Sequence, residues 1–195
     1  MAYRHSDGTD LPIAVKVLVA GGFGVGKTTL VGAVSEIPPL STEEHLTDAG
    51  THVDDLGGIE RKTTTTVAMD FGRITIHNDL ILYLFGTPGQ HRFRFAWDEL
   101  TAGAMGAVVL ADTRRLGDAF PVLDYLEGRD LPFIVAVNRF DSAPKQYEPP
   151  DVQLALNLDP GVPVLLCDAR QRESAKQVLI RLIERVLHSR GPRRP

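Results

Sequence analysis

The run Gly21-Gly22-Phe23-Gly24-Val25-Gly26-Lys27-Thr28 places glycines, a lysine and a hydroxyl at the spacing G-x-x-x-x-G-K-[ST]. Glycines let successive backbone N–H groups turn inward as a nest for an anion. A helix starting at the lysine adds the partial positive charge of its N-terminus. Such a loop cradles the phosphates of a nucleoside triphosphate. Lys27 would lie on the β- and γ-phosphates and the Thr28 hydroxyl on Mg²⁺. Gly22, Phe23, Gly24, Val25, Gly26 and Thr29 complete the nucleotide-binding stretch. ATPases, kinases and GTPases all use this loop, so the base and the fate of the γ-phosphate are decided elsewhere.

Residues 133–141 read Phe-Ile-Val-Ala-Val-Asn-Arg-Phe-Asp, an apolar strand that ends in Asn138, Arg139 and Asp141. Open α/β sheets bind ligands at the C-terminal ends of their strands. A carboxylate there can accept hydrogen bonds from both the N1–H and the 2-amino group of guanine, and adenine offers neither. Two further segments stand out: a threonine run, Thr63 to Thr66, before Val67, and Gly86-Thr87-Pro88-Gly89-Gln90 after another apolar stretch.

With these motifs the chain resembles the Ras-like small GTPases. Their base-reading motif Asn-Lys-x-Asp is matched by Asn138-Arg139-Phe140-Asp141, with a guanidinium that can stack on a base face as the lysine stem does. Their third base contact, Ser-Ala-Lys, falls on Asp168, Ala169 and Arg170. The resemblance implies that Thr66 completes the Mg²⁺ shell when GTP is bound, with Thr63, Thr64 and Thr65 as neighbouring registers. It makes Gly89 the residue whose N–H meets the γ-phosphate. Gln90 becomes the amide that orients the attacking water, and with Lys27 it forms the catalytic set. Two positions depart from the pattern. Gly86 replaces the aspartate that supports Mg²⁺ through water, so the ion would lose an outer-shell anion, with Asp70 or Asp112 filling that role as the alternative, and Phe23 replaces a small residue close to the γ-phosphate.

Thr-Pro-Gly-Gln without that aspartate is similar to the bacterial gliding-motility GTPases. Taken together, Gly-Gly-Phe-Gly-Val-Gly-Lys-Thr-Thr, Thr-Thr-Val-Ala-Met-Asp-Phe-Gly, Phe-Gly-Thr-Pro-Gly-Gln and Asn-Arg-Phe-Asp resemble the conservon GTPases of actinobacteria over about residues 13–187. That resemblance implies two partners, a roadblock-fold protein and a histidine-kinase-like membrane sensor. The expected function is a small GTP-binding signalling switch with GTP, GDP and Mg²⁺ as ligands and slow hydrolysis. Its γ-phosphate would order loops around 38–66 and 86–97. The alternatives are a nucleotide-binding module that has lost hydrolysis, and a P-loop ATPase or kinase.

Apolar runs at 13–20, 67–76, 80–85, 104–111, 133–137 and 162–167 read as strands, the second and third joined by a turn at Asn78-Asp79. Helical spacing covers 27–34, 120–127, 151–156 and 173–188. Residues 38–65 keep no period and read as a long functional loop. The alternation predicts a three-layer P-loop G domain, α/β, with a mostly parallel six-stranded sheet, one antiparallel strand and about five helices. It would occupy 13–189, after a disordered arm at 1–12 and before a basic tail at 190–195.

Composition narrows the partners. The chain of 195 residues carries 21 Lys+Arg against 25 Asp+Glu, a formal charge of −4, which argues against nucleic acid as the main ligand. Cys167 stands alone, so no internal disulfide or cysteine-rich metal cluster is expected, as suits the cytoplasm. No apolar run reaches the ~18 residues of a membrane span. Ala2 offers no myristoylation site, and the Arg-Arg-Pro end holds no prenylatable cysteine. The expectation is a cytoplasmic monomer, brought to a membrane only by a partner. A basic stretch from Arg170 to Arg194 reads as a solvated helix face and tail, with an anionic contact as the alternative. His91 reads as a solvated histidine, with polarising water beside Gln90 as the alternative, and Asp112-Thr113-Arg114-Arg115 reads as structural. Trp97, with Phe93 and Phe95, either buries on its own domain or meets a partner.

Overall fold

The glycine loop needs a rigid strand behind it, and the nearly continuous apolar run at 13–20 supplies one that can be buried on both faces. A computed structural model describes residues 12–38, 40–47, 64–76, 80–89, 95–143 and 145–189. In chain order the elements are β1 (Ile13–Gly21), α1 (Lys27–Val34), β2 (Leu40–Thr47), β3 (Thr64–Ile76), β4 (Leu80–Gly86), α2 (Phe95–Thr101), β5 (Ala104–Ala111), α3 (Phe120–Glu127), β6 (Phe133–Asn138), α4 (Pro149–Ala155), β7 (Val164–Cys167) and α5 (Arg172–Ser189). A 3-10 turn, Leu116–Ala119, leads into α3.

The strands form one sheet in the order β2-β3-β4-β1-β5-β6-β7. β3 pairs antiparallel with both neighbours and every other pair is parallel, so β3 alone runs against the rest. Among the described residues the expected α/β class, the three layers, the single reversed strand and five helices are all present. The sheet has seven strands because Leu40–Thr47, read from sequence as loop, adds an edge strand to the six expected. Its sequence, Leu-Ser-Thr-Glu-Glu-His-Leu-Thr, lacks an apolar alternation. An edge strand can be held by its backbone ladder to one neighbour without such a pattern. The same pairing starts β3 at Thr64, three residues before the expected boundary. The expected arm and tail lie outside the described residues apart from Pro12, as does the turn at 78–79.

Side chains alternate along each central strand and fill two cores. On one face Val17, Val19, Leu82, Leu84, Val108 and Leu110 meet Leu30, Val31 and Val34 of α1 and Val178, Leu179 and Leu182 of α5. On the other, Leu18, Ala20, Val109, Ala111, Val135 and Val137 meet α2, α3 and α4 through Trp97, Leu123, Leu126 and Val152. Fully burying one such side chain contributes about 1.5–3 kcal/mol, so the two faces together fix the strand ends on which the loops rest. Trp97 is buried and stands edge-on to Tyr125 at 5.1 Å between ring centroids, so it belongs to its own domain's core. Phe93 lies outside the described residues. No helix among the described residues is long and apolar enough to cross a membrane.

Candidate functional site

The turn from β1 into α1 works only with glycine at its end. Gly26 has φ 104°, and a Cβ there would come within 2.6 Å of the Asn138 amide nitrogen. That amide is buried and joins three chain segments. Its Nδ2 donates to the Val25 carbonyl at 2.9 Å, and its Oδ1 accepts from the Ala169 N–H at 3.0 Å. The Arg139 N–H donates to the Cys167 carbonyl at 2.8 Å. The phosphate loop, the end of β6 and the loop after β7 are thereby clamped into one corner. Asn138 acts here as a bracket between loops, a role its strand-end position alone does not reveal. Cys167 is buried there, and burial pushes its thiol pKa up, which keeps it protonated and unreactive.

Lys27 is buried beneath the loop. Its Nζ donates to the carbonyls of Gly21 at 3.0 Å and Gly22 at 2.7 Å. Burial lowers its pKa from 10.5 to about 8, and the Asp70 carboxylate opposes part of that fall. The segment after β4 starts with the Thr87 N–H donating to the Val19 carbonyl at 2.9 Å. Gly89 then presses its backbone onto the phosphate loop. A Cβ on it would meet Lys27 Nζ at 2.7 Å and the Gly22 oxygen and Phe23 Cα at 2.9 Å. The expected γ-phosphate glycine and the phosphate lysine are thus brought together. Gln90 lies outside the described residues. Phe23 is 65% exposed, and its carbonyl accepts a hydrogen bond from the Arg115 guanidinium, a contact that the sequence reading of Arg114-Arg115 as structural did not contain.

The oxygen donors gather around Thr28. Its hydroxyl donates to Asp70 Oδ2 at 2.6 Å. A Cβ on Gly86 would come within 3.0 Å of the Asp70 side chain, so the carboxylate absent from Gly86 has a counterpart delivered from β3. Asp112, the other candidate, is engaged by Arg114, whose backbone N–H and guanidinium donate to it at 2.9 and 2.7 Å. Thr66 sits in β3, opposite His45 on β2. No cluster of three or more His, Cys, Asp or Glu suited to a metal occurs among the described residues. A hydroxyl with one carboxylate beside it suits Mg²⁺, which keeps several waters and takes its remaining oxygens from phosphates.

Beyond the end of β6, Asp141 is largely exposed and paired with Arg170, which also holds Asp168. Hydrogen bonds from that guanidinium hold both carboxyls below their usual range and push the arginine's own pKa up. Arg139 is exposed beside them. Thr29 is exposed on the first turn of α1, one residue beyond Thr28. Phe140 carries the Arg114 guanidinium 3.8 Å from its ring centroid, which braces the loop after β6.

A model of the family described as conserved hypothetical ATP binding protein matches residues 19–189. An uncharacterized protein of Methanocaldococcus jannaschii is 33% identical over 129 residues, covering 65% of this chain and 71% of that protein. Among solved structures, the cytosolic domain of the FeoB iron transporter of T. maritima in a GDP form is similar, with a TM-score of 0.63 and 20% identity. That match covers 90% of this chain, which spans only 64% of the FeoB chain. The G domain of the same transporter gives a TM-score of 0.61 at 22% identity, over 88% of this chain and 98% of that one. These structural likenesses establish a shared G-domain fold.

Proposed function

The chain belongs to the family described as conserved hypothetical ATP binding protein; that description names ATP, and from the geometry of the site we propose instead a small guanine-nucleotide switch that hydrolyses GTP slowly with Mg²⁺. The observation that carries the choice of base is the Asn138 clamp. It brings the Asn-x-x-Asp loop against the phosphate loop, with Asp141 three residues beyond the clamp. A carboxylate accepts from the guanine N1–H and 2-amino group, whereas adenine presents an acceptor at N1.

In this reading Gly22 to Thr29 hold the phosphates through backbone N–H groups, and Lys27 neutralises the β- and γ-phosphates. Asn138, Arg139, Asp141, Asp168, Ala169 and Arg170 surround the base. Gly89 donates its N–H to the γ-phosphate. Gln90 orients the water that attacks phosphorus, giving GDP and inorganic phosphate. Thr28 and Thr66 would hold Mg²⁺ with Asp70 behind them, and the bound ion supplies charge neutralisation between the phosphates. The γ-phosphate would order the loops around residues 38–66 and 86–97, which makes them the signalling surfaces. The motif resemblance to conservon GTPases supports a roadblock-fold protein and a histidine-kinase-like membrane sensor as partners, with the GTPase itself cytoplasmic and membrane-recruited through them.

Competition among GTP, GDP and ATP for a fluorescent guanine nucleotide, followed by a phosphate-release assay, tests this function. GTP and GDP should displace the probe at concentrations at least tenfold below ATP, with phosphate released slowly from GTP. Equal or better displacement by ATP would transfer the site to adenine nucleotides. Tight GTP binding with no phosphate release would leave a nucleotide-binding module without hydrolysis.

The assignment of Asp70 has its own test. Asp70→Asn keeps a hydrogen-bond partner for Thr28 but removes the charge, and should raise the Mg²⁺ concentration for half-maximal GTP binding severalfold. Gly86→Asp should not lower it in the parent, because the new side chain meets Asp70 within about 3 Å and adds repulsion there. A lowered Mg²⁺ requirement in Gly86→Asp would mean that the outer carboxylate is missing after all.

A further inference from the structure

One planar guanidinium is spread over two carboxylates at the base end of the site. Arg170 Nη1 donates to Asp141 Oδ2 at 2.7 Å and Nη2 to Asp141 Oδ1 at 3.3 Å. The same side chain reaches Asp168 through Nε at 2.9 Å and Nη2 at 2.9 Å, and the Arg170 backbone N–H adds a bond of 3.0 Å to Asp168. Both oxygens of Asp141 therefore face the two-donor fork of an arginine. The edge of guanine that a carboxylate reads, N1–H and the 2-amino group, is the same N–C–N fork in neutral form. The two forks seek the same pair of oxygens.

We propose that Arg170 is a built-in competitor of the guanine base: its guanidinium mimics the base's donor edge on Asp141 and must swing off before the base is read. The inference rests on Asp141 being the base reader. Asp168 makes the arrangement workable, since it holds Arg170 by three hydrogen bonds of its own and keeps the side chain anchored when it leaves Asp141. Without Arg170 the carboxylates of Asp141 and Asp168 would share one corner with Arg139 as the remaining nearby cation. With it, the two arginines balance the two carboxylates, and a nucleotide displaces only the Asp141 half of the bridge. The consequence is weaker guanine-nucleotide binding and faster release than the same site would show with Asp141 free. This competition opposes any favourable stacking of the arginine on the base, and the sign of the experiment decides between them.

The pair is exposed, 52% for Arg170 and 82% for Asp141, so its removal should matter by about two- to fivefold in affinity. The test uses the full chain and a fluorescent GDP analogue, with affinity at equilibrium and dissociation followed by chase with unlabelled GDP. Arg170→Ala and Arg170→Lys should both bind about two- to fivefold more tightly and release more slowly than the parent. A lysine keeps the charge but has no fork, so a parent-like Arg170→Lys would overturn the mimicry. Weaker binding by Arg170→Ala would overturn the proposal by making the arginine a net favourable contact to the base. In an Asp141→Asn background Arg170→Ala should no longer tighten binding, and tightening there would place the effect elsewhere. The underlying reading fails separately: if Asp141→Asn binds GDP as the parent does, Asp141 is not the base reader, whatever Arg170 does.

Discussion

Lys27→Met is expected to abolish measurable GTP and GDP binding while leaving the protein as heat-stable as the parent or more so. The methionine keeps the buried aliphatic length and removes the ammonium. Lost hydrogen bonds between a charged donor and phosphates cost about 1.5–3 kcal/mol each, and Lys27 is assigned to two phosphates, so the loss exceeds a hundredfold. Stability moves the other way because the folded chain holds this cation against its desolvation. A fall from 10.5 to about 8 corresponds to on the order of 3 kcal/mol against the protonated form at neutral pH. Between about pH 8 and 10.5 the unfolded chain keeps a proton that the folded chain has lost. Stability contributed by this group therefore rises with pH across that window, and the rise is absent from Lys27→Met. Calorimetric titration with GDP and thermal unfolding at pH 7 and pH 9 read both effects. Retained nucleotide affinity would mean that the loop does not hold phosphate through Lys27, and a parallel pH response in the two proteins would mean that the burial of Lys27 costs nothing.

Asp141→Asn is expected to weaken GTP about ten- to a hundredfold, since it removes a charged acceptor from the guanine edge. It should also bring xanthosine triphosphate to equal or tighter binding. The asparagine amide donates to the 2-oxo group of xanthine while its oxygen still accepts from N1–H. Arg170 tempers the loss, because the same substitution weakens its hold on this position, so the net change reports the guanine bonds less the competitor. Competition of the two triphosphates for one fluorescent probe measures the ratio directly. An unchanged preference for GTP would remove Asp141 from the base site.

Much of this was readable from local chemistry. Gly21 to Thr28 between an apolar strand and a helix could be recognised because a phosphate nest is built from consecutive backbone groups, so its geometry follows from adjacent residues. The buried strands were legible for a related reason: a strand covered on both faces is apolar over most of its length, as β5 is throughout and as β1 and β6 are apart from Lys16 and the terminal Asn138. Strand β2 was not, because an edge strand can rest on backbone hydrogen bonds that any residue supplies, and Leu-Ser-Thr-Glu-Glu-His-Leu-Thr carries no apolar signature.

The tertiary structure decided what depends on distance across the chain. Sequence could nominate Asp70 and Asp112 for the carboxylate missing at Gly86. Only the register of β3 against β4 brings Asp70 beside Gly86 and within 2.6 Å of Thr28. Asp112 is turned instead into an ion pair with its near neighbour Arg114. The motif Asn-Arg-Phe-Asp suggested a base reader, but nothing in its spacing says that Asn138 ties Val25 to Ala169 or that Arg170 covers Asp141. Those contacts join residues 29 to 113 positions apart. Backbone periodicity carries information over a few residues, whereas a hydrogen bond between loops exists only after the sheet has aligned the strand ends from which both loops leave.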